Sequence, residues 1–385
     1  MAKIRMGMVG GGEGAFIGQV HRYAAALDGE IELVCGAFSS DPEKSRRSGE
    51  ALHLPAERVY ASYQQMMQHE ATLPAGERMQ FVAIVTPNHM HFPVAAAALH
   101  AGFHVMSDKP ATFDLQQALQ LRELVRDTGL LYGLTHTYTG YPLVKEARDR
   151  VLAGELGAVR KVVVEYPQGW LASREDEADN KQAAWRLDPQ QAGISCCMGD
   201  IGVHAANLAE YITGQKISRV CADLGAVVAG RTLDDDGSIL LRFDNGARGV
   251  LMASQISVGE ENALRIRVYG ERGGLEWSQQ EPNTLWLKWH DQPTQMLRTG
   301  LPYLGVVATA NTRTPNGHPE GYLEAFANLY MAFAGQVRAF ELGVDADERS
   351  ADCPGIDDAV RGMAFIELAV AASNSDVKWH AFPQH

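Results

Sequence analysis

Lys109, Asp200 and His204 are the side chains whose type and setting point most directly to chemistry. Lys109 stands in Asp108-Lys109-Pro110, one residue beyond the mostly apolar run Phe103 to Met106. Read as a parallel strand, that run places the lysine at the carboxyl edge of a sheet, where ligands of open α/β folds bind. Asp200 and His204 lie in Gly199-Asp200-Ile201-Gly202-Val203-His204, four residues apart, so on one helix they share a face. An acid, a base and an ammonium group are then available together. The plainer readings are a surface lysine, a helix-capping aspartate and a satisfied core histidine. A metal would need a third ligand. Adjacent Cys196 and Cys197 point in different directions and lack ordinary zinc spacing, so no metal is expected.

Positioning these groups requires a nucleotide-binding half first. A short apolar strand from Lys3 to Val9 runs into Gly10-Gly11-Gly12-Glu13-Gly14, and a helical pattern follows from Ile17 to Leu27. Strand, glycine turn and helix in that order suit a dinucleotide fold, because a pyrophosphate needs backbone N–H groups and no side chain in the way. Gly10 and Gly12 fill that role. The spacing reaches Ala15 where a third glycine is usual, and the next glycine is Gly18, which implies a longer loop with Phe16 and Ile17 close to the phosphates. The second strand, Glu30 to Phe38, ends at Ser39-Ser40-Asp41-Pro42, a helix start. The acid usual at this strand end is missing. Ser39 and Ser40 suit either a ribose hydroxyl or a 2′-phosphate, so both NAD and NADP stay open. Phe81 to Val85 leads into Thr86-Pro87-Asn88, and this alternation of strands and helices implies a parallel sheet.

After about Gly140 the pattern changes to longer strands with few helices. Ser238 to Phe243 and Arg248 to Ala253 flank Asp244-Asn245-Gly246-Ala247, whose Asn-Gly pair supplies the positive φ angles of a tight hairpin. Leu264 to Val268 and Leu275 to Trp277 repeat the pattern. The expected architecture is α/β followed by α+β: a dinucleotide-binding domain over 1–137, then an open, largely antiparallel sheet domain with flanking helices over 138–385. The helices Leu323 to Phe340 and Ile356 to Ala372 are expected to pack back on the body. The 385 residues, 46% hydrophobic, suffice for two cores. A net charge of -13 opposes nucleic acid and anionic membranes, so neither is an expected partner. No apolar run is long enough to span a bilayer, the first residues lack a signal-peptide core, and five cysteines without a Cys-x-x-Cys pair suit a reduced compartment. A cytoplasmic location is expected.

Taken together, the glycine turn, Thr86-Pro87-Asn88-His89-Met90-His91, Asp108-Lys109-Pro110 and Gly199 to His204 resemble the glucose-fructose oxidoreductase, inositol dehydrogenase and rhizopine-catabolism (Gfo/Idh/MocA) family, over most of the chain and in the expected order. That family commonly has Glu-Lys-Pro, so Asp108 keeps the charge and shortens the reach by a methylene. The resemblance implies a Rossmann domain followed by an open-sheet domain. It also implies a tightly held nicotinamide cofactor, with NAD favoured by family precedent, and catalysis by Lys109, Asp200 and His204. Thr86, Pro87, Asn88, His91, Asp108 and Lys109 are then expected along the cofactor. In hydride transfer a secondary alcohol loses its proton as its carbon gives up a hydride, which requires a base and a cation for the developing alkoxide. His204 is the expected base and Lys109 the stabiliser, although the lysine could instead be the base. Asp200 would orient the imidazole or bind a neighbouring hydroxyl.

The family favours sugars, glycosides and cyclitols as substrates. Tyr138, Trp170, Trp185 and Arg186 flank the site in sequence and could stack on or hydrogen-bond a sugar, with core packing as the alternative for the tryptophans. Arg186 would suit an anionic substituent, or else pairs with Asp188 or another acid. His318, in His318-Pro319-Glu320-Gly321-Tyr322, completes the substrate candidates. The leading reading is an NAD(P)-dependent dehydrogenase. Its alternative is a redox-neutral glycoside hydrolase that oxidises a ring carbon, eliminates the aglycone, adds water and restores the hydride. A non-enzymatic cofactor-binding regulator would be expected to lose the catalytic groups that this chain retains. A homo-oligomer, dimer or tetramer, is expected from the open sheet and family precedent.

Overall fold

A computed structural model describes residues 2–173 and 181–384. The chain divides into two compact units, one of Met1–Thr137 with Tyr322–Val360, the other of Tyr138–Gly321 with Arg361–His385.

In the first unit, β1 (Ile4–Gly10), α1 (Phe16–Leu27), β2 (Ile31–Ala37), α2 (Pro42–Ala51) and α3 (Tyr63–Thr72) come first. They are followed by β3 (Phe81–Val85), α4 (His91–His100), β4 (His104–Ser107), α5 (Leu115–Thr128) and β5 (Tyr132–Leu134). Of the candidate caps Ser39, Ser40 and Asp41, it is Asp41 that caps α2, its carboxylate accepting from the N–H groups of Glu43 and Lys44, with Pro42 in the first turn. The sheet order is β2-β1-β3-β4-β5 and every pairing is parallel. The order reverses between β1 and β3, so the switch point, where ligands of open α/β sheets bind, lies at their carboxyl ends. Gly10 pairs with Val85 in register, which sets the glycine turn beside Thr86.

The second unit opens with α6 (Pro142–Leu152), β6 (Lys161–Pro167), the short α7 (Lys181–Arg186) and α8 (Pro189–Ala192), then α9 (Val203–Thr213). Strands β7 (Ile217–Gly225), β8 (Asp236–Phe243), β9 (Arg248–Ser254), β10 (Arg265–Tyr269), β11 (Gly273–Ser278), β12 (Thr284–Trp289) and β13 (Gln295–Arg298) follow, then α10 (Val306–Ala310). Among the described residues the sheet runs β13-β12-β11-β10-β6-β9-β8-β7-β14, with β14 at His380–Ala381. It is antiparallel except that β6 and β9 run parallel. Both expected hairpins form. In the first, only Gly246 takes a positive φ (+87°), while Asn245 caps the loop by accepting from Ala247 N–H. One sheet face is buried, and on the other Leu240, Trp286 and Met296 are exposed, with Trp286 paired to Met296.

Among the described residues α11 (Tyr322–Leu342), α12 (Glu348–Ala351) and α13 (Ile356–Ser373) come next, ahead of β14. The expected single domain over 138–385 is therefore interrupted. Phe326, Tyr330 and Phe333 of α11 join Met6, Met8 and Phe81 in one buried cluster, so residues 322–360 belong to the first unit. An apolar helix face of this kind must be covered, and here the parallel sheet covers it.

Candidate functional site

In the first unit the glycine turn leaves space that side chains would fill. A Cβ on Gly10 would lie 2.8 Å from Val85 O, and on Gly12 2.7 Å from Phe38 O, while Gly10 has φ +84°. Gly18 sits in the first turn of α1, where a Cβ would come within 2.3 Å of Gly11 Cα. Gly18 thus supplies the close helix-to-turn approach that the sequence spacing left to Ala15. Among the described residues no side chain caps α1, which leaves its first N–H groups to an anion. Arg22 Nη1 donates to Gly11 O at 2.7 Å and fixes the loop from behind, a role the sequence did not signal. Phe16 is exposed at the helix start, and Ile17 packs on the core. Ser40 is exposed, and Ser39 Oγ accepts from Asp41 N–H.

At the end of β3, Thr86 Oγ1 is buried with no hydrogen-bond partner among the described residues, and Asn88 is buried. Pro87 carries the turn, its carbonyl accepting from Met90 N–H. His91 is only 1% exposed, with Nδ1 2.6 Å from Pro110 O and Nε2 2.9 Å from Thr86 O. It ties the two loops together from beneath, and burial lowers its pKa against the pull of Asp108. Asp108 Oδ1 accepts from Lys109 N–H and Thr135 Oγ1, each at 2.8 Å. Burial would raise the Asp108 pKa, but His21, Lys109 and His91 outweigh it and hold the carboxyl well below the usual range. His136, just past β5, is buried. Desolvation and then the Lys109 charge push its pKa down to about 3, a neighbour that only the carboxyl-end position of Thr135-His136 could have signalled.

In the second unit, Met198–Gly202 forms a π turn and α9 begins at Val203. Asp200 and His204 are therefore not on one regular α-helix: the wider turn takes Asp200 out of α-helical register with His204, a distortion frequent at functional sites. The turn is anchored by Asp234, which accepts from Ser195 Oγ, Cys196 N–H and Met198 N–H. Asp200 Oδ2 accepts from Gln255 Nε2 at 2.9 Å and lies 3.3 Å from Arg186 Nε. Arg186 thus pairs with Asp200, and Asp188 caps α8. Its guanidinium stacks 4.3 Å from the Trp185 ring and 5.8 Å from that of Trp170. The Gln255 and Asp234 contacts span 55 and 36 to 39 residues, and no local pattern marked either residue.

Tyr138 meets the His204 ring edge-on at 4.9 Å between centroids. The Tyr138 hydroxyl bonds Tyr166, and Asn262 links Tyr166 to Gln168, which accepts from Trp170 Nε1. Burial raises the Tyr138 pKa, keeping its hydroxyl a neutral member of this chain. Trp170 also packs against the small cluster of Leu171, Ala183, Cys196 and Leu233. His318 is exposed in a turn, where its N–H donates to Pro315 O and its carbonyl accepts from Thr314 Oγ1. Those contacts do not tie it to Asp200.

A parallel sheet with a glycine turn at its switch point, joined to an open-sheet unit bearing a held carboxylate and a histidine, defines a two-domain dinucleotide-dependent oxidoreductase. Residues 4–136 match the oxidoreductase family with an NAD-binding Rossmann fold, and residues 144–276 match the GFO/IDH/MocA C-terminal domain. The chain belongs to the Gfo/Idh/MocA family and is an NAD-binding oxidoreductase. It is 33% identical to the uncharacterized oxidoreductase YfiI of Bacillus subtilis (strain 168), over 98% of this chain and 97% of that protein. An inositol dehydrogenase homologue from Azotobacter vinelandii, complexed with NAD+, superposes with TM-score 0.94 at 35% identity, covering 99% of this chain and 97% of that one. An oxidoreductase from Sinorhizobium meliloti is 42% identical with TM-score 0.89, covering 99% and 100%. The glycine cradle, the uncapped α1 start and the orphaned Thr86 hydroxyl all fit a dinucleotide.

Proposed function

We propose that this protein is an NAD-dependent dehydrogenase acting on a secondary alcohol of a neutral polyhydroxylated ring, a cyclitol, sugar or glycoside. The observation that carries the reading is the double hold on Asp200 Oδ2 by Gln255 and Arg186, in the turn that leads straight into the helix of His204. A carboxylate so held is a fixed acceptor for a substrate hydroxyl. His204, braced by the Tyr138 ring, takes the hydroxyl proton on its imidazole, and the Lys109 ammonium stabilises the developing alkoxide. NAD+ supplies the hydride acceptor. Thr86 and Asn88, with the N–H groups of the glycine turn, bind the dinucleotide, while His91 and Asp108 keep the loops in place. The Arg186 charge is already met by Asp200, which favours a neutral substrate over an anionic one. A solved relative, 34% identical with TM-score 0.91, is an inositol dehydrogenase homologue complexed with NADH and myo-inositol, which supports the same class.

Among the described residues no helix is long and apolar enough to cross a membrane, and the five cysteines are free. Both fit the cytoplasmic enzyme we propose. The exposed sheet face with Leu240, Trp286 and Met296 suits a homo-oligomer, which light scattering would detect.

The test is to incubate the protein with NAD+ or NADP+ and a panel of cyclitols, sugars and glycosides, including uronates, recording nicotinamide absorbance and product NMR together. Reduced cofactor accumulating with a keto product is expected. Aglycone release without reduced cofactor would replace the dehydrogenase with a redox-neutral glycoside hydrolase, and a uronate turned over in preference to neutral rings would refute the substrate class.

A further inference from the structure

His21 is wholly buried in α1, and its ring packs edge-on against Phe326 and Tyr330 of α11. Its Nδ1 lies 2.7 Å from the Tyr330 hydroxyl, and its Nε2 faces Asp108 Oδ2 at 3.9 Å. The tautomer that suits both partners accepts from Tyr330 at Nδ1 and turns its N–H at Nε2 toward the carboxylate. At 3.9 Å that second contact is electrostatic rather than a hydrogen bond. The other carboxylate oxygen, Oδ1, accepts from the Lys109 N–H and from Thr135 Oγ1. Burying a carboxylate is unfavourable unless it is compensated, so a group compensated from three directions is held tightly in one place.

We propose that His21 and Tyr330 are positioning residues for Lys109: they hold the Asp108 carboxylate, and that carboxylate fixes the Lys109 backbone just past β4. The late helix α11 thereby contributes to function through a side chain about 220 residues from the lysine, which is a reason for its place in the first unit beyond filling the core.

The inference rests on Lys109 serving the proposed hydride transfer, and a double-mutant cycle of Tyr330→Phe and Asp108→Asn tests it. Tyr330→Phe alone is expected to lower kcat about tenfold while leaving KM and the NAD+ Kd within about twofold, and to add no further loss in the Asp108→Asn background. Equal losses in both backgrounds, or an unchanged kcat, would overturn the proposal, since a merely structural tyrosine acts independently of Asp108. His21→Gln, which removes the ring that faces Asp108 Oδ2, takes the place of Tyr330→Phe in the cycle if the latter does not fold. A second readout needs no turnover: the acylation rate of Lys109 relative to exposed Lys3, followed by peptide mass spectrometry. It should change at least about twofold in Tyr330→Phe. If it does while the wild type oxidises nothing in the panel, the dehydrogenase reading falls and the positioning role stands. An unchanged rate in a folded variant removes the positioning role.

Discussion

Replacing Gly18 by alanine tests whether the approach of α1 to the glycine turn creates the dinucleotide site. The added Cβ would sit 2.3 Å from Gly11 Cα, 2.8 Å from Gly11 O and 3.0 Å from Gly11 C. Ordinary carbon contacts are about 3.5 Å or more, so helix and turn must separate by roughly 1 Å. Both sides of the contact are backbone, and no flexible side chain can yield. Gly11 is also held at φ +71° with its carbonyl bound by Arg22, so the displacement passes to Gly10 and Gly12. Overpacking of this kind costs about 1–3 kcal/mol. Because about 1.4 kcal/mol is a factor of ten, the NAD+ Kd should rise about tenfold or more, and Tm should fall by roughly 2–4 °C per kcal/mol. Calorimetric titration with NAD+ and thermal denaturation read both quantities. Gly76→Ala is the control, since a Cβ there meets nothing within 4 Å and the residue has no positive φ. An NAD+ Kd for Gly18→Ala within about twofold of wild type would refute the reasoning, whatever happened to Tm.

Three further perturbations separate the roles. Lys109→Ala should lose at least about a hundredfold in kcat with an NAD+ Kd changed by less than about threefold, whereas equal losses would mark a structural lysine. Gln255→Leu removes a hydrogen bond of about 1.5–3 kcal/mol to the Asp200 carboxyl group, so kcat/KM should drop roughly tenfold to a hundredfold with little change in NAD+ affinity; an unchanged kcat/KM would mean that Asp200 needs no such hold. His104 is buried and Nδ1 accepts from Leu131 N–H, and burial lowers its pKa to about 4. Between about pH 6.5 and 4 the unfolded chain binds a proton there that the folded chain does not, so stability falls as pH drops through that window, by roughly 3 kcal/mol at most. His104→Gln keeps an acceptor without the titration and should flatten Tm against pH between 6.5 and 4. Curves parallel to those of the wild type would show that the acid sensitivity lies elsewhere, for instance at His136.

The features legible in the sequence are those in which a short stretch of chain dictates its own geometry. The glycine turn declares itself because only residues without Cβ fit between β1, Val85 and Phe38, and the Asp41 cap because its carboxylate reaches N–H groups two and three residues on. The hairpins around Gly246 and Gly270–Gly274 follow from the alternation of their strands and the freedom of glycine between them. Lys109 could be placed because a lysine just after a parallel strand must lie at its carboxyl edge.

Tertiary structure alone decided what each exposed choice was paired with. The apolar pattern of α11 required a partner, but only folding set Phe326, Tyr330 and Phe333 against β1 and β3 and so interrupted the second domain. Arg186 had several acids within reach in sequence, and folding chose Asp200. His91 opens α4 at the end of the Thr86-Pro87-Asn88 turn, and its ring turns inward to two backbone carbonyls. Gln255 and His21 carried no local signal, because their contacts with Asp200 and Asp108 cross 55 and 87 residues. Spacing within a turn or strand is fixed by bond geometry and can be read from the residues themselves, whereas a contact across tens of residues exists only once burial of the whole core has brought its two ends together.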